Sequence, residues 1–335
     1  MSSPPSSTLV VVPPHLAGAV ATLPALEILA ASGRSVVVLA PRYLEPLFKL
    51  LPGVAAVAEL VESEERTVTH IRRHECDEAV LLDSSLDGAW LSRAASIQAR
   101  WGYRGGLRSL LLHPPVPRPR VPLPPWQQPS ALLAAMDLPA PAGPPRLQLP
   151  PEFLQRGLEL LERAHVPTTD GPLVALAPTS DLATAPRWPW PNFAELARSL
   201  RRRNPSVRQF IVGEAEQLWP AVRIHEETAR FLPVIGPDLD VAQLAGVLAH
   251  LKLLITAESG PLHLAAALGV RCVALLGPRN PILHGPAGDG HHIVHGQQSW
   301  LLPGLVRARR LDGIAVEAVI AACEDVLAKN ATENH

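Results

Sequence analysis

The sequence predicts an α/β protein built as two doubly wound parallel sheets, and three observations carry that expectation. Short runs rich in Val, Ile and Leu alternate with Ala- and Leu-rich stretches of helical length. Glycines stand where helices would close, at Gly33 and Gly269. The chain has 335 residues, which at about 150 residues per domain makes two domains rather than one.

In order along the chain, a β-rich run at 8–12 leads through a loop at 13–17 into a helix at 18–31, closed by Gly33. A strand at 35–40 and a helix at 43–51 follow, then a strand at 79–83. Between 113 and 151 prolines cluster too densely for regular structure, except for a short helix at 130–137. A helix at 152–164 leads out of this first domain, 1–164. In the second domain, 165–335, strands are expected at 173–177, 207–212, 253–256 and 272–276. Its helices are expected at 193–203, 215–230, 241–250 and 261–268, with Asp240 as the N-cap of the third. Two sheets of similar size joined by a linker would form a cleft between them.

Composition narrows the function. Apolar residues make up 47% and charged residues 18%, enough for full cores. Thirty basic against 31 acidic residues leave a net charge of −1, which speaks against nucleic-acid binding through bulk charge. Cys76, Cys272 and Cys323 are too far apart for a zinc site, and read as small apolar residues of a reducing compartment. No metal or cofactor is expected. Residues 1–7 lack the basic and apolar parts of a secretory leader, and no apolar run approaches membrane-spanning length, so the expectation is a cytoplasmic protein.

The most informative segment is Ala257-Glu-Ser-Gly-Pro-Leu-His263. A strand meets a tight turn that opens a helix, and Pro261 suits the first helical turn because its missing N–H has no partner there anyway. Backbone amides around Ser259 and Gly260 at such a helix start favour an anion, a phosphate above all. Glu258 can accept hydrogen bonds from sugar hydroxyls, or merely cap the helix. His263 lies in the first helical turn, either supporting that site or packing on a neighbouring loop. After the strand at 173–177, Thr179 and Ser180 offer hydroxyls and amides, and Arg187 offers a guanidinium fork for a diphosphate or for stacking on Trp188 or Trp190. In the first loop His15 is the only titratable side chain, and the single Gly18 does not make a dinucleotide-binding fingerprint. The trio His291, His292 and His295 reads as solvated loop, and Arg201 to Arg203 as cations at a helix C-terminus.

At these residues the chain resembles the family 9 glycosyltransferases, the ADP-heptose:lipopolysaccharide heptosyltransferases, and within them the heptosyltransferase II branch. The resemblance spans almost the whole chain. It is carried by 258–270 with Val273-Ala-Leu-Leu-Gly-Pro278, by Arg187-Trp-Pro189 with Phe193-Ala-Glu-Leu196, by Thr22-Leu-Pro-Ala-Leu26 and by Trp101-Gly-Tyr-Arg-Gly-Gly-Leu-Arg108. It implies a GT-B architecture: two Rossmann-like domains facing each other across a cleft, the donor held mainly by the second. It also implies that the closing helix, here 314–328, can pack back on the first domain. Three positions depart from the family pattern. Gly18 stands where the family's usual base, an Asp, would fall; Pro186 replaces a Lys; and Glu258 replaces an Asp.

The expected activity is therefore metal-independent, inverting transfer of a sugar, heptose in the family, from an ADP-sugar to a lipopolysaccharide-core or other glycan or lipid-linked acceptor. Glu258 would hold donor hydroxyls, with Thr179, Ser180, Arg187, Ser259 and Gly260 on the diphosphate. His263 would support that site, Glu216 would reach the ribose, and His15 is the one nearby replacement base. Nucleic acid is not an expected partner. A lipid-linked acceptor would permit peripheral contact with the inner face of a membrane, though no basic amphipathic helix demands it. The alternative from a different class is a catalytically degenerate family member that binds nucleotide-sugar or serves assembly.

Overall fold

The computed structural model describes residues 7–169, 171–178, 188–213, 218–236, 238–277, 279–296 and 311–332. The chain divides into two compact units, Met1–Leu147 and Gln148–His335. The first contains β1 (Ser7–Val11), β2 (Ser35–Ala40), β3 (Val54–Glu59), β4 (Glu78–Leu81), β5 (Ala99–Tyr103) and β6 (Pro115–Val116). They pair in the order β3-β2-β1-β4-β5-β6, every pair parallel. The second contains β7 (Leu173–Ala177), β8 (Arg208–Val212), β9 (Val234–Ile235), β10 (Leu253–Ala257), β11 (Arg271–Leu276) and β12 (His292–His295). Their order is β12-β11-β10-β7-β8-β9, again all parallel. Counted within its own unit, each sheet has the 3-2-1-4-5-6 order of a Rossmann fold.

The sequence explains why these runs are central strands. Leu9 pairs with Val37 on one side and Ala79 on the other, and Ile255 pairs with Leu176 and Val273. All five residues of β7 and of β10 are buried. A parallel strand covered by helices on both faces has no need of alternation. Leu9, Leu39, Ile71 and Leu81 centre one core, and Val174, Phe193, Ile255 and Val273 the other. Gly33 (φ +85°) and Gly269 (φ +79°) end their helices in the left-handed conformation, as their positions predict. Asp240 caps its helix and exchanges hydrogen bonds with Gln243 in a capping box.

Several expectations need correction. The helix expected at 18–31 is two helices, Leu16–Ala21 and Leu23–Ala31, which meet at Thr22 just before Pro24. His292–His295 is an edge strand rather than solvated loop, because β11 offers it a parallel partner. The helix expected before the domain boundary, Pro151–Arg163, belongs to the second unit. It packs backbone to backbone on the Val241–Leu248 helix: a Cβ on Gly157 would lie 2.2 Å from the Gly246 carbonyl oxygen, and one on Gly246 2.4 Å from that of Phe153. Two glycines, far apart in sequence, make that seam. Within its own unit, the closing helix, Val316–Thr332, lies on the Trp190–Arg203 helix and the second sheet. No helix among the described residues is long and apolar enough to cross a membrane.

Candidate functional site

Open parallel sheets bind ligands beyond the carboxyl ends of their strands, where the strand order reverses. That point lies between β1 and β4 in the first unit and between β7 and β10 in the second. Residues following these four strands are therefore the ones to weigh.

In the second unit, β10 ends at Ala257 and the Gly260–Ala267 helix begins three residues later, with Pro261 in its first turn. Ser259 holds the N-cap position in an extended conformation, but its side chain does not cap the helix. It is fully buried, and its hydroxyl lies 3.0 Å from that of Thr256, which donates to the Ala177 carbonyl oxygen at 2.9 Å. This chain of hydroxyls ties the turn to β7 and leaves Ser259 only its backbone for a ligand.

Glu258 points the other way. Its Oε1 accepts a hydrogen bond from Arg279 Nη1 at 2.7 Å and another from His284 Nδ1 at 2.7 Å. The three side chains remain 30%, 23% and 33% exposed, so they sit within reach of solvent and of a ligand. Because an ionised carboxylate can only accept, Nδ1 of His284 carries a proton. The nearby Arg279 Nη1 to His284 Nδ1 approach of 3.4 Å is then a contact between two donors. Sequence reasoning found Glu258 and missed both partners, which arrive from the loop and short helix after β11 with no periodicity to announce them. His263, also predicted, is half-buried in the first turn of the adjoining helix. Thr179, Ser180, Arg187 and Glu216 lie outside the described residues.

The corresponding corner of the first unit is arranged differently. His15 is the N-cap of the Leu16–Ala21 helix, and its Nδ1 accepts from the Gly18 backbone N–H at 3.0 Å. A neutral imidazole that accepts at Nδ1 carries its proton at Nε2. In this arrangement His15 therefore offers a donor rather than a base. A Cβ on Gly18 would stand 2.5 Å from Pro13 Cβ and 2.7 Å from His15 Cε1. The space a carboxylate would need there is filled by the proline and the imidazole.

A second feature of this corner went unnoticed in the sequence. Past β4, the Asp83 backbone N–H donates to Val11 of β1 at 3.2 Å, which brings Asp83 to the strand-order reversal. Its side chain is 8% exposed and that of Arg108 3%, with Nη1 3.8 Å from Oδ1. Arg108 also donates to the carbonyl oxygens of Asp83 and Ser85, at 2.9 and 3.0 Å. Asp83 Oδ2 accepts from the Ser85 hydroxyl and, at 3.2 Å, from the Ser85 N–H. Burial pushes the Asp83 carboxyl above the usual carboxylate range, against the opposing pull of Ser85 and Arg108. Among the described residues no group of three His, Cys, Asp or Glu converges to hold a metal.

Comparison with known proteins follows the same lines. The family model described as glycosyltransferase family 9 (heptosyltransferase) matches residues 65–315. Lipooligosaccharide heptosyltransferase 2 of Haemophilus influenzae is 26% identical over 293 residues, covering 82% of each chain. A family 9 glycosyl transferase from Veillonella parvula superposes with a TM-score of 0.84 at 19% identity, over 98% of this chain and 99% of that one. The Escherichia coli ADP-heptose lipopolysaccharide heptosyltransferase II superposes at 0.78 and 22% identity, over 97% and 99%. The fold is thus the one these proteins share.

Proposed function

The chain belongs to glycosyltransferase family 9, and from that premise we propose that it binds an ADP-sugar through its second unit and passes the sugar, a heptose, to a lipopolysaccharide-core or related glycan acceptor held by the first. The observation that carries the reading is Glu258, a carboxylate acceptor held by Arg279 and His284 beside the start of the Gly260–Ala267 helix where the strand order reverses. Carboxylate oxygens suit sugar hydroxyls, and a helix start suits the diphosphate. Thr179, Ser180, Arg187 and the Ser259–Gly260 backbone complete the diphosphate grip in this reading, His263 supports it, and Glu216 reaches the ribose.

Transfer with inversion has the acceptor oxygen form a bond to the anomeric carbon as the bond to the diphosphate oxygen breaks. ADP leaves carrying the electron pair, and the acceptor's proton passes to a base or to water. Guanidinium and helix-start amides supply the charge neutralisation that a metal would otherwise provide. General-base help is worth roughly 10²–10⁴-fold, and with Gly18 unable to supply it, slow turnover is the expected outcome. Mixing the protein with ADP-heptose and a truncated lipid A-core acceptor should release ADP. Glu258→Ala should weaken ADP-heptose binding by at least about 1.5 kcal/mol, the lower range for losing a charged hydrogen bond. An unchanged dissociation constant in calorimetry would remove Glu258 from the site.

The filled corner at Gly18 favours a second reading, a nucleotide-sugar-binding protein without transferase activity. Calorimetric binding of ADP-heptose with no ADP release would select it over the first. The absence of a spanning helix among the described residues fits either reading, with any membrane contact coming through a lipid-linked acceptor.

A further inference from the structure

Arg279 and His284 lie 21 and 26 residues from Glu258 in sequence, yet both end on the same oxygen of its side chain. We propose that they are positioning residues: they fix Oε1 so that Oε2 is offered in one orientation to the hydroxyls of the nucleotide-linked sugar. The inference rests on the donor-site reading above and adds to it how the sugar is read.

A glutamate side chain turns about three torsions, so an unsupported carboxylate at the rim of a sheet spreads over several rotamers and must be ordered anew by each ligand. Here the ordering is done in advance. His284 ends the Pro281–His284 helix, whose start is held by the Asn280 side chain accepting from the Ile282 N–H at 3.0 Å. The next residue, Gly285, donates to the Pro281 carbonyl oxygen at 2.8 Å, and a Cβ on it would meet that oxygen at 2.6 Å. The chain thus turns sharply immediately after His284, which fixes where its backbone stands, and the contact with Glu258 places its ring. Arg279 comes from the segment just before the same cap and brings a charge-assisted bond to Oε1. Among the described residues Oε2 takes no hydrogen bond. Arg279 directs its charge to Oε1, and the second oxygen of a carboxylate accepts from hydroxyls, so this cluster suits the neutral, polyhydroxylated part of the donor rather than its diphosphate.

The experiment compares ADP with ADP-heptose by calorimetry on the full chain. The wild type should bind ADP-heptose more tightly than ADP. Arg279→Gln and His284→Ala should each weaken ADP-heptose about tenfold, the size of one charged hydrogen bond, and leave ADP within about twofold. His284→Asn, whose amide can restore a donor near Nδ1, should recover most of the loss. In a Glu258→Gln background His284→Ala should cost little more, because the residue acts through the carboxylate. Equal weakening of ADP and ADP-heptose, full additivity with Glu258→Gln, or unchanged binding in both single variants would overturn the positioning role while leaving donor binding intact. A wild type that binds neither ligand would instead overturn the donor-site reading itself. Melting temperatures separate a loss of folding from a loss of ligand, and the His284→Asn rescue keeps the test decisive if His284→Ala is unstable.

Discussion

The two units build the same corner and use it differently. In each, one of the two strands flanking the strand-order reversal (the first strand of its unit, β1, in one and the fourth, β10, in the other) runs into a short turn and a helix. After β1 the one titratable side chain, His15, is bound to its own backbone as a helix cap, and Gly18 is walled in by Pro13 and the imidazole. After β10 the hydroxyl of Ser259 turns inward to Thr256, and Glu258 faces outward between two donors. A shared topology therefore provides a place for chemistry without providing the chemistry. What decides is which side chain the turn gives to the backbone and which it leaves to a ligand.

If the first corner is structural and the second functional, substitutions in the first should cost folding and those in the second should cost binding. The largest expected effect is Arg108→Met. It strands the buried Asp83 carboxyl without its cation, and should destabilise the first unit by about 3–5 kcal/mol in denaturant titration. A loss below 1 kcal/mol, on the order of an exposed pair, would show that the pair is solvated and the corner looser than drawn. Gly18→Asp comes next. Crowding against Pro13 and His15 should cost about 1–3 kcal/mol, with no gain in ADP release; faster turnover at unchanged stability would show that the corner accepts a base after all. His15→Ala removes a cap and should cost about 1 kcal/mol, while His15→Asn, which keeps an acceptor, should recover most of it. Transfer activity that falls far more than stability in His15→Ala would move His15 from cap to catalyst.

The smallest effect concerns His291, whose affinity for a proton is lowered by burial, its carbonyl contact at Ala287 and Asp289 pulling the other way. The unfolded chain takes up this proton more readily than the folded one, near the usual pH of about 6.5. Its contribution to stability is therefore fully present above that pH and is lost as the pH falls below it. His291→Gln should flatten the decline of Tm between pH 7 and pH 5 by about 2 °C or less.

How much of this could be read from the sequence depended on where each signal sits in the chain. Central strands such as β1, β2, β7 and β10 carry almost wholly apolar runs, because both faces are covered. β3 and β12 lie at sheet edges with half-exposed patterns, and β6 and β9 are two residues long. β5 hides an arginine and a glycine in five residues, and only its pairing with β4 and β6 defines it. The site divides in the same way. Glu258 and the helix behind it were legible because strand, turn, proline and helix are contiguous. Arg279 and His284 were not, since their relation to Glu258 exists only after β11 and the short helix fold back. The cap made by His15 was hidden for another reason: histidine is not a usual N-cap residue.

The glycine seam between the Pro151–Arg163 and Val241–Leu248 helices has a practical corollary. A gene fragment meant to express the C-terminal half alone should start near Gln148. One begun after the seam would uncover a strip of main chain shaped to receive another helix, and such a fragment should precipitate or associate with itself.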